Sequence, residues 1–202
     1  MGLPVLILGE SGSGKTYAIK NLPKEDTVIL SVEKNRLPFR DVGFSVIKRA
    51  NYKDIAKTFN SDKRIFVVDD SQYLLCNELF DRVDEVGYKK FTQMAKKFRD
   101  MIHYVNDKLP DNKIVFFNHH PEMTEDGKMK AKTVGKMLDQ NLGIEGCFDI
   151  VLYCCFDETG HWFLTQKTYN MPAKTPEGMF DEDKIPNDFN LVIDRAREYG
   201  WI

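Results

Sequence analysis

Eight consecutive residues, Gly9-Glu10-Ser11-Gly12-Ser13-Gly14-Lys15-Thr16, fill the pattern G-x-x-x-x-G-K-[ST]. The apolar run Val5 to Leu8 precedes them, and a helix-compatible stretch from Tyr17 to Leu22 follows. Strand, glycine-rich loop and helix together predict a phosphate-binding loop. Glycines let backbone N–H groups converge on phosphate oxygens. A helix N-terminus would add partial positive charge. Lys15 would reach the β- and γ-phosphates, and Thr16 would offer its hydroxyl to Mg2+. The expected nucleotide contacts are therefore Gly9 to Thr16 and the adjoining Tyr17, with ATP and Mg2+ as ligands.

A second group of chemical interest is Asp69-Asp70-Ser71, at the end of the apolar run Arg64 to Val68. In phosphate-loop enzymes an Asp at the end of such a strand holds the metal, directly or through water. Asp69 directly follows the apolar residues and is the expected ligand, beside Thr16. Asp70 is left as a partner in that task, a water-polarising group or a helix cap. Two further strand ends carry polar groups: Glu33 after Thr27 to Val32, and Asn118-His119-His120 after Ile114 to Phe117.

These groups need a scaffold that brings distant strand ends together. Short apolar runs recur at Val5 to Leu8, Thr27 to Val32, Phe44 to Ile47, Arg64 to Val68, Ile114 to Phe117, Ile150 to Cys154 and His161 to Thr165. Their apolar residues are continuous rather than alternating, as in strands covered on both faces of a mostly parallel sheet. The clearest helix spans about Tyr88 to Leu109, where Phe91, Met94, Ala95, Phe98, Met101, Ile102, Val105 and Leu109 recur at three and four, until Pro110. A shorter helix is expected from Asp188 to Tyr199, with Gly200 as its stop. Pro121 to Thr133 and Pro172 to Pro186 read as polar loops, the first with a turn at Asp126-Gly127.

The 202 residues suit one domain spanning 1–202. A composition of 42% hydrophobic and 30% charged residues is that of an ordinary globular chain. Apolar runs fall short of the roughly 18 residues of a membrane span. With no basic leader ahead of the first strand, the reading is intracellular, with no membrane partner. Cys76, Cys147, Cys154 and Cys155 form no C-x-x-C pair, which argues against zinc. A net charge of −2 gives no global attraction to nucleic acid, so any such contact requires a local basic patch.

The order of these elements resembles the RecA-like ATPases, and more closely the compact phage RecA-like ATPases of the Sak group, AAA-type ATP-binding proteins proposed as single-strand annealing proteins. The phosphate loop, the strands ending at Glu33, at Asp69 and at Asn118-His119, and the tail Ala173 to Phe180 carry the resemblance. It implies an α/β fold, a mostly parallel RecA-like P-loop NTPase sheet with helices on both faces. It implies a DNA-stimulated ATPase of phage recombination or replication, placed in the cytoplasm of the host. It assigns Glu33 to activating water and His119 to sensing the γ-phosphate, with His120 as the alternative. It places single-stranded DNA on the loop after the sensor strand, where Lys128, Lys130, Lys132 and Lys136 lie. It offers Lys174 or Lys167 as a finger completing a neighbour's site, in a homo-oligomeric ring or filament, with a single-stranded DNA-binding protein as a further partner. Two other classes stay open: a nucleotide-gated adaptor with little hydrolysis, and a small P-loop kinase, although for the usual Arg-rich lid Arg36 and Arg40 are the only nearby early pair.

Overall fold

Among the described residues, six parallel strands form the body of the sheet, and two antiparallel strands extend one edge. The computed structural model describes residues 1–33, 36–40, 43–134 and 143–202. The strands are β1 (Leu3–Leu8), β2 (Thr27–Ser31), β3 (Ser45–Lys48), β4 (Ile65–Asp69), β5 (Ile114–His119), β8 (Ile150–Asp157), β9 (Gly160–Leu164) and β10 (Lys184–Pro186). Their order across the sheet is β10-β9-β8-β1-β5-β4-β2-β3. β9 and β10 are the antiparallel additions. β5 thus lies between β1 and β4. It pairs Leu8 with His119 on one side and Val68 with Phe117 on the other. Strand ends 49 and 111 positions apart in sequence become neighbours.

Both sheet faces are covered, as the continuous apolar runs require. Alternation along each strand sends successive side chains to opposite faces. Leu6, Leu8, Val115 and Phe117 face one layer with α1 (Tyr52–Phe59), α2 (Gln72–Asp81) and α3 (Lys89–Lys108). Val5, Ile7, Ile114 and Phe116 face the other, with Ala18, Ile19 and α4 (Phe189–Glu198). Each fully buried Phe, Leu or Ile contributes roughly 1.5–3 kcal/mol relative to exposure. Met94, Phe98, Ile102 and Val105 are the buried stripe of α3. Leu109, ahead of Pro110, is forced to extended backbone and ends that helix. Asn51 starts α1 with a capping box, accepting from the Asp54 N–H while the Asp54 carboxylate accepts from the Asn51 N–H.

Three sequence expectations change. The stretch Tyr17 to Leu22 forms a single 3-10 turn, Tyr17–Ile19, rather than a helix. Pro23 disfavours helical backbone at Leu22 and leaves too few residues to sustain an α-helix. The segment Pro121 to Thr133 is a β-hairpin rather than a loop, with β6 (Pro121–Met123) and β7 (Met129–Ala131) joined by a turn that places Gly127 at φ 77°. The loop expected to end at Pro186 ends instead in β10. Among the described residues no helix is long and apolar enough to cross a membrane.

Candidate nucleotide-binding site

A cavity of about 520 Å3 opens at the C-terminal ends of β1 and β4. Ser11, Gly12, Gly14, Lys15, Thr16 and Tyr17 line one side, and Asp69, Asp70, Tyr73 and His120 the other. Arg36, Pro38 and His161 complete it.

The loop is tight because its glycines admit close neighbours. A Cβ at Gly9 would lie 2.5 Å from Ser13 Oγ and 2.7 Å from the Cys154 carbonyl oxygen. At Gly14, with φ at 108°, a Cβ would collide with Asn187 and come within 2.8 Å of His161 Nδ1. Lys15 is 5% exposed and donates from Nζ to the carbonyls of Gly9 (2.6 Å) and Glu10 (2.8 Å). Burial holds its ammonium below the ordinary lysine value, against the opposing pull of the Asp70, Asp69 and Glu10 carboxylates. Gly9, Glu10 and Ser13 therefore form the back of the loop, while the other loop residues face the cavity.

Thr16 Oγ1 lies 3.0 Å and 3.2 Å from the two carboxylate oxygens of Asp69. Asn118 Nδ2 donates to Asp69 Oδ1 at 2.7 Å from the neighbouring β5. Burial pushes the Asp69 carboxyl up, and the bonds from Asn118 and Thr16 pull it back down. The pair fits Mg2+. Hydroxyl and carboxylate are hard oxygen ligands, and Mg2+ is commonly held by one or two protein groups plus phosphates and water. Asn118 Oδ1 is buried and has no hydrogen-bond partner among the described residues, which leaves it as an acceptor for water at such a metal.

The two histidines ending β5 separate. His119 is fully buried, with Nδ1 2.8 Å from Ser71 Oγ and Nε2 2.7 Å from the Lys132 carbonyl. Its ring packs edge-on to Phe98 of α3, and burial pushes its pKa down to about 4. Alternation along the strand puts His119 on the α3 face, away from the cavity, so it does not reach a phosphate there. His120 lines the cavity instead, with Nε2 3.3 Å from Asp70 Oδ1. Asp70 has φ at 61°, an uncommon backbone for a non-glycine residue.

Glu33 lies elsewhere. It lines a separate cavity of about 650 Å3 with Asn51, Tyr52 and Asn77, and accepts from Asn77 Nδ2 at 3.2 Å. Lys167 and Lys174 are exposed and outside the phosphate-loop cavity. Lys174 pairs through its backbone with Val151 of β8. In the β6–β7 hairpin, Lys128 pairs with Asp126 at 2.6 Å and Lys130 with Glu122 at 3.2 Å. The Lys132 backbone is tied to His119 and to the His120 carbonyl. Lys136 lies outside the described residues.

Sequence reasoning missed His161 and Asn187, which touch the loop from the far end of the chain. His161 Nδ1 donates to the Ser13 carbonyl at 2.7 Å, and Asn187 Nδ2 to the Gly14 carbonyl at 3.1 Å. Cys154, its thiol pushed up to about 12 by burial, donates to the same Ser13 carbonyl at 3.2 Å. Lone residues in a strand or loop carry no local signal for such contacts. A family model described as AAA domain (AAA_24) matches residues 1–176. No curated protein matches the sequence.

Proposed function

From the premise that the chain belongs to the AAA domain family, whose members are P-loop ATPases, we propose that it is a single-domain, Mg2+-dependent ATPase coupled to single-stranded DNA in phage recombination or replication. One observation carries the nucleotide half. Lys15 and Thr16 from the loop after β1 and Asp69 from the end of β4 line one cavity, and Asn118 of β5 braces Asp69. Lys15 and the loop amides bind phosphate. Thr16 and Asp69 hold Mg2+, which neutralises charge on the phosphates when bound. Asn118 orients Asp69.

For the attacking water there are two carboxylates. Glu33 follows β2, whose Ser31 is in register with Asp69, and the RecA-like resemblance assigns it this task. Asp70, held against His120, lines the cavity beside Asp69, whereas Glu33 does not, and the geometry supports Asp70 over Glu33. His120 replaces His119 as the group facing phosphate. His119 couples the acidic strand to the lysine hairpin, since it bridges Ser71 and Lys132.

The DNA half rests on that hairpin, with Lys128, Lys130 and Lys132 following a phosphate backbone. The ion pairs of Lys128 and Lys130 exchange partners on binding. Lys167 or Lys174 acts in a neighbouring subunit of a ring or filament, and a single-stranded DNA-binding protein is a further partner. A nucleotide-gated adaptor with little hydrolysis is the second reading, favoured by the engagement of Glu33 with Asn77 away from the cavity.

Steady-state ATP hydrolysis with Mg2+, with and without single-stranded DNA, tests both halves against Lys15→Ala. Turnover stimulated by DNA supports the full reading. Turnover without stimulation sinks the DNA half. Tight MgATP binding without turnover moves the reading to the adaptor.

A further inference from the structure

The phosphate loop is followed by one 3-10 turn, so a helix dipole contributes little to aiming its amides. Something else must fix their direction. In a planar trans peptide the C=O of one residue and the N–H of the next point opposite ways. Holding the Ser13 carbonyl outward therefore turns the Gly14 N–H inward, and holding the Gly14 carbonyl outward turns the Lys15 N–H inward.

Both carbonyls are held. Ser13 O accepts from His161 Nδ1 at 2.7 Å and from Cys154 Sγ at 3.2 Å. Gly14 O accepts from Asn187 Nδ2 at 3.1 Å and from the Ala18 N–H at 3.1 Å. Among the described residues, no hydrogen bond within the chain uses the N–H of Gly14 or Lys15. Asn187 lies beyond residue 176, outside the stretch that the family model matches. Its neighbourhood is docked independently onto the turn after the loop. Asn21 donates to Asp188 at 2.9 Å, and Asn190 to the Asn21 carbonyl at 2.7 Å.

We propose that Asn187 and His161 are positioning residues for phosphate binding, a latch from the C-terminal part of the chain that turns the Gly14 and Lys15 amides toward the phosphates. The proposal rests on the nucleotide-binding reading. The latch acts through the loop carbonyls, so it should affect a nucleotide and a bare triphosphate alike; Asn187 does so from outside the cavity lining, whereas His161 also lines the cavity.

The test uses the full chain and calorimetric titration with MgATP and with magnesium tripolyphosphate. Asn187→Asp keeps the side-chain shape but sets an acceptor against the Gly14 carbonyl. His161→Phe keeps a ring without a donor, and His161→Asn restores a donor at the place of Nδ1. Asn190→Ala loosens the docking without touching a loop carbonyl, and its fold is a control on stability. Asn187→Asp and His161→Phe are expected to weaken both ligands in parallel by roughly three- to tenfold. His161→Asn is expected to recover most of that loss, and Asn190→Ala to stay within about twofold of the unaltered chain. Binding by Asn187→Asp and His161→Phe within twofold of the unaltered chain overturns the latch. A loss in Asn190→Ala equal to that in Asn187→Asp overturns it too, since docking alone would then account for the effect. If Asn187→Asp does not fold, the His161 pair decides alone, and failure of His161→Asn to rescue overturns the proposal. Absence of MgATP binding in the unaltered chain removes the nucleotide reading itself, a result separate from all of these.

Discussion

Thr16 and Asp69 stand 53 positions apart in sequence, yet the Thr16 hydroxyl reaches both oxygens of the Asp69 carboxylate, at 3.0 and 3.2 Å. The contact spans the width of β5, whose Asn118 braces the same carboxylate. Hydroxyl, carboxylate and carboxamide are thus fixed by three separate strand ends.

Replacing Asp69 with Asn removes the charged ligand and keeps the shape. Nucleotide affinity should then lose most of its dependence on Mg2+, and turnover should fall by about a hundredfold or more, a few kcal/mol of transition-state stabilisation. Titrations with MgATP and with ATP in excess chelator check it. A variant with an undiminished Mg2+ effect would take Asp69 out of the metal site.

Gly12 and Gly14 should respond differently to alanine. Both have positive φ, at 80° and 108°. A Cβ at Gly12 meets no atom of the described residues within 4 Å, whereas one at Gly14 collides with Asn187 and His161. Gly12→Ala should cost only backbone strain, about 1–2 kcal/mol. Gly14→Ala should cost more and remove phosphate binding. Thermal unfolding and MgATP titration of the two variants give the comparison.

His119 predicts the pH dependence of stability. Its pKa falls from 6.5 to about 4 on folding, so the unfolded chain binds more protons between those values. The associated stability is fully present above pH 6.5 and is lost as pH falls toward 4. At full depth it amounts to about 3 kcal/mol. His119→Gln should flatten the fall in unfolding temperature across that window. An unchanged profile in the variant would assign the acid sensitivity to other groups.

Phe189, the first residue of α4, stacks on Phe116 of β5 at 4.0 Å between ring centroids and lies 5.8 Å from Phe163 of β9. It is fully buried. Phe189→Ala should cost about 3–5 kcal/mol of stability. Denaturant unfolding measures this directly, and a loss below about 1 kcal/mol would mean that α4 is not integral to the core.

The sequence made the phosphate loop, the parallel strands and α3 legible because each is a local pattern of glycine spacing, continuous apolar residues or helical period. The division of His119 from His120 was not legible. Alternation says that they face opposite ways, but only the packing of α3 says which way is inward. The β6–β7 hairpin escaped because strands of three mixed residues have no period, and only its Asp126-Gly127 turn could be read. Apolar Ala18, Ile19 and Leu22 suit a helix or a 3-10 turn equally, and Pro23 sets the limit. α2, whose apolar residues lack a clean stripe, was hidden for a similar reason. Asn51 and Asp54, three apart, are a capping pattern for α1 that the sequence expectations left out.

β10 and α4 lie past residue 176, yet they are the lid on half of the hydrophobic sheet. A polypeptide cut at that boundary would retain every residue of the phosphate loop, Asp69 and Asn118. It would also bare Phe116 and Phe163, whose rings now stack against Phe189 of α4. Contiguous apolar surface of that kind drives self-association. Such a fragment is expected to be insoluble, despite containing the whole of the recognisable motif.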